Sequence, residues 1–127
     1  MIPSVLVIAI SLFLAVGHIW WGMTYPVKEI RELGNPTTTI ASYHTCWYHI
    51  SIVFLVTAIV VLIDLFLGTI SRQLLWGLWA IIFACWLTYL WVVAAYPSMR
   101  KLGWGQIGLI LVLLVNLGLV ANDPAAA

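Results

Sequence analysis

The sequence predicts an all-α integral membrane protein, a bundle of four transmembrane helices in up-down-up-down order. Three observations lead there. Hydrophobic residues fill 65% of the 127 positions and charged residues only 7%, against about 25% in an ordinary soluble domain. With a mean hydropathy of +1.13, the chain has too little polar surface to cover a water-soluble globule. A net charge of +1 gives no electrostatic footprint for nucleic acid. Second, the charges fall in a few places: Lys28, Glu29, Arg31 and Glu32, then Asp64, Arg72, Arg100 with Lys101, and Asp123. The uncharged stretches 1–27, 33–63, 73–99 and 102–122 lie between them, each at least 21 residues long. A helix needs about 20 apolar residues to cross ~30 Å of hydrocarbon. Third, no stretch alternates apolar and polar residues as barrel strands do.

The first helix is placed at 3–24. Met1-Ile2-Pro3 offers no basic leader and no A-x-A site follows the apolar run, so the segment is expected to be retained rather than cleaved. Pro26 cannot continue it. The connection that follows carries Val27, Ile30 and Leu33 with charges between them, which fits a short interfacial helical segment at 27–33 or an irregular loop equally well. Gly34-Asn35-Pro36 ends it. The second helix is placed at 43–67, with Gly68 suited to the position after its end and Ser71 suited to cap the third. The third runs 72–95, before Pro97. Gly103 is expected to break the chain before the fourth, at 104–121. The short 2–3 and 3–4 connections predict antiparallel neighbours.

Lys28, Arg31, Arg100 and Lys101 share one side of this arrangement, against Arg72 on the other. The positive-inside rule then puts both termini outside the cytoplasm of a cell membrane, the bacterial inner membrane being the expected one. Trp20, Trp21, Tyr25, Tyr43, Trp47 and Tyr48, with Trp91, Tyr96 and Trp104, gather at the cytoplasmic level as an aromatic belt.

Histidine is the first functional candidate. His18 and His49 each lie about six residues from the cytoplasmic ends of their helices, roughly 9 Å deep, and His44 sits higher. Two histidines at one depth can ligate haem b or a metal. The stripe Ser4, Val7, Ser11, Ala15, His18 and Gly22 turns His18 into the bundle. His44 shares a face with Trp47, Tyr48 and Ser51, and His49 points about 140° away. The plainer alternative makes the histidines helix–helix glue, bonded to hydroxyls or carbonyls. Asp64 and Arg72 face each other across the 2–3 connection and are expected to form a structural ion pair; the alternative is a titrating site on a transport path. Asn116 is a further candidate for that polar cluster, or for a contact with another subunit. Cys46 and Cys85 form no C-x-x-C motif and are read as small hydrophobes.

On the third helix, Ala80, Ala84 and Thr88 form a small-residue ridge, expected to pack inside the bundle. Trp76, Trp79, Phe83 and Trp86 form a bulky face, expected to meet lipid, a lipophilic ligand or another subunit. No zinc-protease, nucleophile-elbow or Walker A motif is present. The leading expectation is therefore a non-enzymatic accessory subunit of a membrane complex, or a homo-oligomer, seated in the lipid bilayer. A haem b or metal electron-transfer protein using His18 and His49 is the alternative, and a small transporter or channel using Asp64 and the histidines the third.

Overall fold

The computed structural model describes residues 1–24, 28, 32, 34, 37–96 and 100–123, and the side chains of all of these except 37–44, 46, 101 and 102. It is all-helical: α1 is Ile2–Thr24, α2 Thr37–Leu67, α3 Arg72–Ala95 and α4 Arg100–Ala121. All four are long and apolar enough to cross a membrane. Of the expected segment at 27–33, only Lys28 and Glu32 are described; both are helical and pair at 3.8 Å across one turn. The rest of it lies outside the described residues.

Two helix starts differ from expectation. α2 begins at Thr37 rather than 43. Hydropathy locates the apolar span, here Trp47–Leu67, and not the turns that run on beyond it. α4 begins at Arg100 rather than 104, so Gly103 is no break. It is buried inside the helix, where an added Cβ would come within 2.4 Å of Val93 Cγ2. Glycine here allows α4 to close on α3. Arg100 reaches back and donates to the Ala94 carbonyl at 2.9 Å, one of the carbonyls that the end of α3 leaves without a helical partner. The other two boundaries follow the sequence. Gly68 ends α2 with φ +59 and donates to the Asp64 carbonyl at 2.8 Å. Ser71 caps α3, its hydroxyl accepting from Leu74 N–H at 3.3 Å.

α1 packs most extensively on α2, α3 on α4, and α1 on α4, whereas α2 and α3 hardly meet. This corrects the expected 2–3 pairing. A four-residue connection ties helix ends together but does not orient faces. Here α2 turns Ser51, Phe54, Ala58 and Val61 inward, and α3 turns its aromatic side to α4. The paired positions run in opposite senses within each hairpin: His18 with Ser51 and Met23 with Tyr48, then Trp79 with Leu114 and Trp86 with Ile107. A core of Val7, Leu14, Phe54, Val61, Leu75, Ile82, Leu113 and Leu117 fills the half of the bundle nearer the chain termini. The half nearer the α1–α2 and α3–α4 connections is built differently.

Candidate functional site

His18 organises that second half. The α1 stripe foreseen from the sequence is buried from Val7 to Gly22, with His18 9% exposed and Ser11 fully enclosed, while Ser4 is half-buried. The imidazole lies flat on the Trp47 indole, ring centroids 4.1 Å apart and planes 10° from parallel. The indole N–H donates to the backbone carbonyl of His18 itself. This contact requires Gly22, one turn further along α1. A Cβ there would lie 2.0 Å from the Trp47 indole nitrogen.

The proton on His18 follows from counting. Nδ1 is 3.0 Å from Ser51 Oγ, and Ser51 Oγ is 3.2 Å from the Trp47 carbonyl. A serine has one proton to give. If it goes to the carbonyl, Nδ1–H donates to Oγ; two hydrogen bonds form and Nε2 keeps a bare lone pair. If it goes to Nδ1, one bond forms and the ring is left with an N–H that meets no acceptor among the described residues. The first arrangement wins by a hydrogen bond, about 0.5–1.5 kcal/mol.

Beside His18 a cavity of about 360 Å³ opens between three helices. Phe13, Leu14, Gly17, Trp20 and Trp21 of α1 line it with His18; Tyr89 of α3 and Gln106 of α4 close the far side. Tyr89 donates to Gln106 Oε1 at 2.8 Å. The Gln106 NH₂ group makes no hydrogen bond among the described residues. Its mouth lies at Phe13 and Trp20, 68% and 64% exposed. A shallower groove of about 420 Å³ continues along α1 past Leu12 and Val16, sharing Phe13, Gly17 and Trp20 with the cavity. Gly17 sits at the junction, and a Cβ there would touch no protein atom within 4 Å.

The structure does not bring the other candidates here. His49 is exposed. Trp47 and Ser51, two residues to either side of it, face α1, which turns His49 outward on the helical period. No shared His18–His49 site is assembled, and the side chain of His44 lies outside the described ones. Among the described residues no group of three His, Cys, Asp or Glu is arranged to hold a metal. Asp64 and Arg72 form no ion pair. Arg72 instead donates to the Asp123 carbonyl at 3.1 Å, just past the end of α4, where helix carbonyls attract a cation. Asp64 Oδ1 and Arg72 Nε are buried without a hydrogen-bond partner among the described residues. Asp64 lies thirteen positions along α2 from Ser51, about 20 Å away, beyond the aliphatic core. Asn116 donates to the Val112 carbonyl of its own helix at 2.8 Å. Cys85 is a free thiol, half-buried.

The two faces of α3 are exchanged relative to expectation. Trp79, Phe83 and Trp86 pack against the core, and Ala80, Ala84 and Thr88 are exposed. Trp79 and Trp86 donate their indole N–H groups to the Leu114 and Ile107 carbonyls at 2.9 and 3.1 Å. An indole in apolar surroundings has to find an acceptor, and α4 supplies two. Trp76 remains exposed, edge-on to Trp79 with centroids 5.6 Å apart. Reasoning from sequence alone misses Ser51 and Gln106 as site residues. The usable signals were the one-turn spacings His18–Gly22 and Trp47–Ser51.

No protein-family model, curated protein or solved structure matches the chain.

Proposed function

We propose that this chain is a multi-pass membrane protein that binds a lipophilic small molecule between α1, α3 and α4, without catalysing its conversion. The observation that carries the reading is the cavity at His18: aromatic at its mouth, polar at its inner end and open to the side of the bundle. Its volume lies within the range of ligand pockets, and a few polar groups set in apolar walls are their usual lining. A cavity of about 150 Å³ holds a benzene, so this one has room for a fused bicyclic ring, with the adjoining groove for an apolar tail. In the orientation we propose, with both termini outside the cytoplasm of the bacterial inner membrane, the mouth meets the bilayer in the cytoplasmic leaflet.

The test is saturable retention of 2-naphthol on nanodiscs carrying the protein, over empty nanodiscs. Gly17→Leu places a side chain in the shared space of cavity and groove without a clash at its Cβ. It is expected to abolish saturable retention without lowering the melting temperature. Equal retention by the variant, or none by the wild type, overturns the reading.

The accessory-subunit or homo-oligomer reading is favoured by a different observation. Where α2 and α3 hardly meet, a cleft of about 330 Å³ is lined by Ile50, Ala84, Cys85, Thr88, Tyr89 and Val92. Small exposed residues there permit close approach of another helix. Ala84→Leu then lowers the mass of the complex in mild detergent without lowering stability; an unchanged mass counts against it.

A further inference from the structure

We infer that the cavity selects a ligand whose head carries a hydroxyl donor, a phenol or hydroquinone, over the same ring system bearing only acceptors. This rests on the binding reading above and names the ligand chemistry of that site. Ser51 lies outside the cavity lining. Because the Ser51 proton goes to the Trp47 carbonyl, His18 carries its own proton on Nδ1, and Nε2 is the one polar atom His18 has left to offer the cavity it lines. A neutral imidazole nitrogen without a proton is an acceptor only. A ligand hydroxyl satisfies it. A methyl ether or quinone carbonyl presents a second lone pair and leaves Nε2 desolvated and unpaired. The Gln106 NH₂ group complements this from the other side. Tyr89 occupies the amide oxygen, so Gln106 has only donors left to offer the cavity. The cavity therefore offers a ligand an acceptor at His18 and donors at Gln106. A site built around a hydroxyl rejects the analogue lacking it because its own polar groups are left unmatched.

The experiment compares 2-naphthol with 2-methoxynaphthalene on nanodiscs carrying the protein, and reads the His18 tautomer by ¹⁵N NMR. The wild type is expected to bind the naphthol about tenfold more tightly, the worth of one satisfied buried acceptor. Its ¹⁵N shifts place the proton on Nδ1. Ser51→Ala removes the acceptor of Nδ1–H without entering the cavity. It is expected to release the tautomer and reduce the naphthol preference to under about threefold, with retention of the ether unchanged. Equal affinities for the two compounds in the wild type, or a proton on Nε2, overturn the selection while leaving the binding reading intact. Retention of neither compound overturns the binding reading itself. His18→Phe keeps a ring on Trp47 and serves where Ser51→Ala fails to fold; it is expected to equalise the two compounds, and a surviving preference refutes the role of Nε2.

Discussion

The two halves of this bundle are held together by different means. Near the termini, Val7, Val61, Leu75, Leu113 and Leu117 are fully enclosed in a largely aliphatic core, to which Trp79 adds one bond, to the Leu114 carbonyl. Near the connections, side chains fasten one helix to the backbone or polar groups of another: Trp47 to His18, His18 to Ser51, Trp86 to Ile107 and Tyr89 to Gln106. Aliphatic packing is non-directional and holds only where space is filled. A hydrogen bond fixes position without filling volume. A cavity of ligand size is therefore tolerated in the second half and would be costly in the first. In a bilayer the distinction sharpens, since lipid tails are as apolar as leucine and helices associate through packing and hydrogen bonds.

The largest expected effect tests the aliphatic half. Leu113→Ala removes a fully enclosed side chain that nothing else can replace, and a loss of about 2–5 kcal/mol is expected in denaturant unfolding of the purified protein. A loss under about 1 kcal/mol would show that this half is packed no more tightly than the other. Next comes the fastened half. Gly22→Ala drives a methyl into the Trp47 indole and is expected to cost about 1–3 kcal/mol as overpacking. Trp47 must leave the His18 carbonyl to make room, so the emission of that indole shifts as well. Gly77→Ala, where an added Cβ meets nothing within 4 Å, is the control. It is expected to stabilise by up to about 1 kcal/mol through helix propensity alone. If the two variants unfold alike, the close fit at Gly22 is not what holds α1 to α2. The smallest effect is at Ser11, a hydroxyl sealed within the terminal half with no partner among the described residues. Ser11→Ala removes an unsatisfied polar atom and is expected to leave stability unchanged or raised slightly. A loss above about 1 kcal/mol would mean that the hydroxyl is bonded, and that this half too depends on polar contacts.

Much of the fold was legible because its cause is compositional. Charges interrupt apolar runs, and the runs are helices. Gly68 and Ser71 were legible because cap chemistry is local. The inward face of α1 was legible because small residues and one histidine fall on a single stripe. On α3 the same reasoning failed. Every face of that helix is apolar, so hydrophobicity has no period from which to tell inside from outside. Residue size was left as the only guide, and size pointed the wrong way: the bulky face went inward because Trp79 and Trp86 carry N–H groups that α4 can satisfy. The site was half legible. His18 was marked by being ionisable within a span. Its partner was not His49, because depth puts two residues at one level without putting them on one face.

The thin contact between α2 and α3 bears on how the chain is made. Each hairpin carries its own internal fastenings, and the two join through α1 and α4, which flank α2 and α3 in the chain. The α1–α2 pair can therefore assemble while α3 is still being synthesised, but these four helices close into a bundle only when α4 arrives. The loop between the hairpins serves mainly as a tether. Cut at Thr69 and supplied as two separately expressed fragments, the protein is expected to reassemble into the same bundle, with Arg72 still reaching Asp123 from within the second piece.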